Sequence, residues 1–318
     1  MPEQARPGLE RERLDAQRTL AHYGSTMDAL ASGYGLIEGP VWDPEQGLFW
    51  SDVLHGGVHR LARSGEIAIV IPHRRGIGGM ARHAEGGLVV GGRNIAWKSL
   101  ADSSGQVLLE ADAAAAGAIG FNDLTTDAAG RIYVGSLAFR VFAGEEPRPG
   151  HLHVIDLDGS ARIVADGIAL TNGLAFSPDG GRLYHSDSRA GIVRVYDVRA
   201  DGSLGPWRVF ARAEAIPDGM AVAADGSVWV ALAEGGAVAV FGPDGAERAR
   251  VPAPLPMVTS VCFGGDDLRD LYVVTGSRGG PGDRCGTVYR TRVDVPGVLR
   301  PAARVPLAPK APAEESRP

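Results

Sequence analysis

Six times along the chain a polar or small residue opens an apolar run, which closes near Gly or Asp and is followed by a second run. The openings are Glu38-Gly-Pro-Val-Trp, Gly78-Gly-Met-Ala-Arg, Asn122-Asp-Leu-Thr-Thr, Asn172-Gly-Leu-Ala-Phe, Asp218-Gly-Met-Ala-Val and Thr259-Ser-Val-Cys-Phe. Their partners include Gly47-Leu-Phe-Trp-Ser, Arg131-Ile-Tyr-Val-Gly and Ser227-Val-Trp-Val-Ala. Subtracting the numbers of successive openings gives 40, 44, 50, 46 and 41 residues, the period of propeller blades. The pattern predicts an all-β, six-bladed β-propeller.

The register of the repeat points to a site. The first strand of each blade lines the central channel, so Glu38, Gly78, Asn122, Asn172, Asp218 and Thr259 form a ring. Four of the six are carboxylates or carboxamides, a set that is costly to crowd into a narrow channel unless a cation sits among them. Glu38, Asn122, Asn172 and Asp218 offer only oxygen, which suits one hard divalent metal ion: calcium first, with magnesium, manganese and zinc as alternatives. Read singly, Asn172-Gly and Asp218-Gly would be strand-entry turns; it is their shared register that makes them candidate ligands.

Asp-Gly pairs at Asp158, Asp179, Asp201, Asp225 and Asp244 sit between apolar runs and predict tight hairpins. The 45 glycines and 21 prolines are spread through the 318 residues, which indicates many turns. The expected organisation is a charged N-terminal extension over 1–24, a propeller over 25–307 and a disordered tail over 308–318. Within the propeller, Val298 to Val305 is expected to supply the strand that closes the ring against the segment near Met27 to Leu30.

A net charge of -6 without a Lys/Arg stripe argues against a nucleic-acid partner. The absence of a long apolar run argues against the membrane, and the start lacks a signal-peptide core, so a cytoplasmic location is expected. Two cysteines, Cys262 and Cys285, make no disulfide framework and are expected to be free thiols. The histidine pairs His55/His59 and His151/His153 fall outside the ring, and Trp42, Trp50 and Trp229 read as blade-packing core.

The phrases Glu38-Gly-Pro-Val-Trp-Asp, Phe121-Asn-Asp, Asn172-Gly-Leu-Ala-Phe-Ser-Pro-Asp-Gly, Pro217-Asp-Gly-Met-Ala-Val and Thr259-Ser-Val-Cys-Phe-Gly-Gly resemble those of the gluconolactonase, senescence marker protein (regucalcin) and luciferin-regenerating enzyme family. The resemblance runs from about Leu36 to Thr275. It implies one channel metal held by Glu38, Asn172 and Asp218, with Asn122 close to metal or substrate. It also implies an enzyme opening a lactone, a small-molecule substrate, with Asp218 as the catalytic acid or base and Asn122 and Asp123 orienting substrate or solvent. Sugar lactonases of the family usually carry Arg at the position occupied here by Gly120, and the Gly that commonly follows Asn-Asp is Leu124. Both residues are expected at the substrate site, where they make the mouth less polar; Arg93 and Arg140 are candidate replacements for the missing cation. Rival expectations are phosphotriester hydrolysis, another metal-dependent small-molecule reaction, and a non-enzymatic calcium-binding propeller. Oligomeric state stays open.

Overall fold

A computed structural model describes residues 27–102 and 104–308. These form six four-stranded antiparallel sheets arranged as a β-propeller. Blades I to VI begin with the inner strands Ile37–Asp43, Met80–Arg82, Gly120–Thr126, Thr171–Phe176, Ile216–Val222 and Val258–Gly264. Inner strands are buried along nearly their whole length, because they face neighbouring blades and the channel. Outer strands such as Ile67–Ile71 and Ala161–Ile168 alternate, with one face in water.

Apolar side chains gather in six clusters, one at each interface between neighbouring blades. Trp50 and Trp229 are fully buried in two of them, and Trp42 stacks on Tyr272 at 5.6 Å between blades I and VI. The five Asp-Gly pairs are tight turns as expected. Gly159, Gly180, Gly202, Gly226 and Gly245 all have φ between 71° and 85°, where a side chain would be strained.

Ring closure differs from the expectation. The fourth strand of blade VI is Asp28–Tyr34, which pairs with Gly286–Arg292, so the N-terminal segment does close the ring but not against Val298–Val305. The latter segment forms no regular strand. Pro296 and Pro301 lack N–H donors, and the donors that remain reach across the propeller floor: Val298 N to Val222 O, Ala303 N to Arg82 O and Arg304 N to Gly130 O. This C-terminal strap ties blades V, II and III together. The extension 1–24 and the tail, apart from Ala308, lie outside the described residues.

Candidate active site

At the ring position of blades I, III, IV, V and VI the pairing of inner and second strands slips by a bulge: between Glu38 and Val41, Phe121 and Leu124, Thr171 and Leu174, Pro217 and Met220, and Val258 and Ser260. A bulge frees a residue from the ladder and re-aims its side chain. Glycines then let the inner strands approach one another. A Cβ on Gly39 would lie 2.9 Å from Gly78 O, one on Gly173 2.5 Å from Asp218 O, and one on Gly219 2.0 Å from Ser260 Oγ. At Gly39 and Gly173 the close neighbour is backbone, and at Gly219 it is the Ser260 side chain, so the channel is narrow where these glycines stand.

Two of the six ring positions serve structure. Thr259 gives its hydroxyl to the backbone, Ile37 O and Val274 O. Gly78 makes room: a Cβ there would fall 2.1 Å from Asn122 Oδ1. The other four, Glu38, Asn122, Asn172 and Asp218, line one cleft of about 640 Å³, within the usual size of a small-molecule site.

Hydrogen bonds fix how the carboxamides face. Asn122 Nδ2 donates to Asn172 Oδ1 at 2.7 Å and to Thr171 O at 2.8 Å. Asn172 Nδ2 donates to Ser188 Oγ at 2.9 Å, and Ser188 donates in turn to Pro217 O at 2.6 Å. Both amide nitrogens are thereby engaged with protein. The carboxylates differ: Glu38 Oε2 and Asp218 Oδ1 are buried without a hydrogen-bond partner. Unsatisfied buried charge is expensive, and the structure answers by holding both acids well above their usual pKa range. Burial is the main cause for each; Glu38 is raised further by Asp218 and Asp123, and Asp218 by Asp123. Among the described residues no three His, Cys, Asp or Glu side chains form a metal-ligand cluster. The donor set here instead mixes two carboxylates with two carboxamides, and its orphaned oxygens fit a hard divalent cation.

The remaining candidates separate. Gly120 lies on the cleft wall, as do Arg93 and Arg140. Leu124, in contrast, does not reach the mouth: the bulge between Phe121 and Leu124 breaks the strand's alternation, and Leu124 lies in the blade II/III core beside Val89, Ile95 and Val134, so the low polarity expected of it is not contributed there. Asp123 does not line the cleft either. It is buried, raised to about 7 by desolvation, and within electrostatic reach of Glu38, Asp218 and the Arg300 guanidinium, the last of which opposes the shift. What makes the wall apolar is a segment the sequence did not single out, Leu137 with Phe139, Val141 and Phe142, together with Ile119 and Leu170.

Among the described residues no histidine lines the cleft. His55 bonds Asp52, His59 stacks on Trp50, and His153 and His185 are buried against Ser136 and Thr171. Cys262 and Cys285 are free; burial pushes the Cys262 thiol up to about 12, which leaves it unreactive. Ser188 carries no spacing signal, and only the fold shows that it orients Asn172.

Fold and site together define an oxygen-lined six-bladed propeller of the lactonase type. Residues 36–277 match the family described as SMP-30/Gluconolactonase/LRE-like region, and the chain belongs to that family. It is 34% identical to a 6-deoxy-6-sulfogluconolactonase of Pseudomonas putida over 84% of this chain and 94% of that protein. Identity to a pentonolactonase of Haloferax volcanii is 32%, covering 85% and 94%. Among solved structures, a luciferin-regenerating enzyme superposes with a TM-score of 0.80 at 24% identity, covering 89% of this chain and 100% of that one. A gluconolactonase of Xanthomonas campestris gives 0.73 at 24%, covering 93% and 95%. These two likenesses concern the fold.

Proposed function

We propose that the protein is a metal-dependent lactonase: an enzyme that opens a cyclic ester with water in the propeller channel. The observation that carries this reading is the pair of buried, unpartnered carboxylate oxygens, Glu38 Oε2 and Asp218 Oδ1, facing the same cleft as Asn122 and Asn172. The names of the two curated relatives support the reaction class. Glu38, Asn172 and Asp218 would hold one divalent cation, calcium suiting the carboxamide oxygen best, with Asn122 beside it. Bound there, the cation supplies Lewis acidity toward the ester carbonyl and lowers the pKa of water.

The chain's own groups do the rest. Asp218 accepts a proton from the attacking water and returns it to the alkoxide that leaves as the ring opens. Asn122, held by its bonds to Asn172 and Thr171, fixes the substrate against that carboxylate. Burial strengthens each of these contacts by excluding water. The wall of Phe139, Phe142 and Leu170, and a glycine at position 120, favour a lactone less polar than a sugar lactone, with Arg93 and Arg140 available to any polar arm. Like its lactonase relatives in name, the protein acts on a small molecule.

The test is turnover of a lactone panel, with aryl esters and phosphotriesters alongside, before and after chelation and after return of calcium, magnesium, manganese or zinc. Loss of lactone hydrolysis on chelation and its recovery with one cation are expected. Full activity in metal-stripped protein, or faster phosphotriester than lactone turnover, overturns the reading.

A further inference from the structure

Three guanidinium groups line the substrate cleft, those of Arg93, Arg140 and Arg278, and two of them are already engaged. Arg140 gives its backbone N–H and its Nη1 to the two carboxylate oxygens of Glu145, at 2.9 and 3.1 Å. Arg278 Nη2 stands 3.1 Å from Glu234 Oε1, itself on the cleft wall. Arg93 differs. Among the described residues its side chain has no hydrogen-bond or ion-pair partner, yet the backbone that carries it is held on both sides. Arg74 Nη2 donates to Gly91 O at 3.0 Å and to Asn94 O at 2.8 Å, and Phe121 N of blade III donates to Gly92 O at 2.7 Å. Three carbonyls around Arg93 are thus fixed, two by one guanidinium and one by the neighbouring inner strand. A Cβ on Gly120 would lie 3.7 Å from Arg93 Cα, so the glycine leaves the wall beside it clear.

We propose that Arg93 is a specificity-determining residue that receives an oxyanion on the arm of the substrate, so that the lactone taken is amphiphilic: ring inward, apolar middle, carboxylate at the mouth. Glu38 and Asp218 are buried and Arg93 is exposed, which sets the order of depth. The same cleft carries Leu137, Phe139 and Phe142, an apolar wall for the middle of such a molecule. A neutral arm would leave the free charge of Arg93 unmatched. An oxyanion meets it with two parallel N–H···O bonds, and a backbone fixed before binding lowers the cost of ordering the site. Arg140 and Arg278 would each have to release a carboxylate first. The amphiphilic lactone rests on the reading given under Proposed function; the anion site at Arg93 does not.

The experiment measures kcat/KM of the full-length protein, supplied with its divalent cation, for a γ-lactone whose alkyl arm ends in a carboxylate and for the same lactone ending in a primary amide. The readout is the ratio of the two values in wild type, Arg93→Gln, Arg93→Lys and Arg140→Gln, at low and at high salt. Wild type is expected to favour the carboxylate by about tenfold, through KM, and less so as salt rises; Arg93→Gln should bring the ratio near one, and Arg93→Lys should keep part of it. A wild type without preference for the carboxylate, an unchanged ratio in Arg93→Gln, or a larger fall in Arg140→Gln overturns the proposal. If neither lactone is turned over, the lactonase reading fails, and calorimetry of the metal-free protein with hexanoate against hexanamide decides the anion site by itself. Tighter binding of hexanoate that Arg93→Gln abolishes supports the site; equal binding of the two, or a difference that Arg93→Gln leaves intact, overturns it.

Discussion

Asn122 of blade III donates its side-chain N–H to Asn172 Oδ1 of blade IV at 2.7 Å, so two neighbouring ring positions are one hydrogen-bonded unit. The unit depends on a third blade, because Asn122 Oδ1 occupies the place where Gly78 of blade II has no side chain. Gly78→Ala would put a Cβ 2.1 Å from that oxygen and force Asn122 to turn. We expect a stability loss of about 1–3 kcal/mol, typical of an overpacked interior, and a fall in kcat/KM of about tenfold or more. Denaturant unfolding and steady-state kinetics check both; a variant with unaltered kcat/KM would show that the orientation of Asn122 is irrelevant to turnover.

The acids of the channel give metal-free protein an unusual pH response. Asp123 is raised to about 7 and Glu38 and Asp218 are held well above their usual range, so the folded chain keeps protons that the unfolded chain releases near pH 4. The stability this brings is complete below that pH and is lost as pH rises through about 7. His185, held at about 3, and His153, at about 4, have the opposite sign: below pH 6.5 the unfolded chain gains protons that these buried rings refuse, so stability falls with falling pH. The histidines are common to both forms, whereas a bound cation competes only for the channel acids. The melting-temperature gap between calcium-saturated and metal-free protein should therefore widen from pH 5 to pH 8. A gap independent of pH would mean that no cation meets these carboxylates.

Asp218→Asn keeps an oxygen in the ring and removes the base. The expected fall in kcat is roughly 10²- to 10⁴-fold, the usual contribution of a positioned acid or base. Because Asp218 Oδ1 is buried and unpartnered and the acid is disfavoured as a charge, the metal-free variant should be no less stable than wild type, which separates catalysis from folding. Undiminished kcat would remove Asp218 from the mechanism.

Much of this was legible in the chain because a propeller repeats. Six openings in register carried both the blade count and the ring, and Glu38, Asn122, Asn172 and Asp218 share one cleft because equivalent positions must meet at the axis. What periodicity does not encode is which way a bulged residue turns. Leu124 sits two residues after Asn122 yet points into the core, and Asp123 is buried among other acids rather than set on the wall. Ring closure was misassigned for a similar reason: Val298–Val305 has strand-like composition, but Pro301 within it and the carbonyls of the floor that its N–H groups reach make it a strap. Partners far apart in sequence, such as Ser188 with Asn172 or Arg300 with Met80, leave no local pattern at all.

Substrate choice should respond to the wall independently of the ring. Phe142 lines the cleft while 68% exposed, so its removal leaves the core intact. Phe142→Ser should lower kcat/KM for lactones bearing an alkyl arm by about 10- to 100-fold and change that for small polar lactones little, since a lost apolar contact is worth about 1–3 kcal/mol. Gly120→Arg tests the opposite direction by placing several donors beside the cleft. Its Cβ would lie 3.0 Å from Gly92 O, so blade II must yield by a few tenths of an ångström, and some stability should be lost. The preference for polyhydroxylated over apolar lactones should nevertheless rise, read as the ratio of kcat/KM values and not as either value alone. A wild-type enzyme that already prefers aldonolactones, or a Phe142→Ser variant with an unchanged ratio, would show that the apolar wall does not select the substrate.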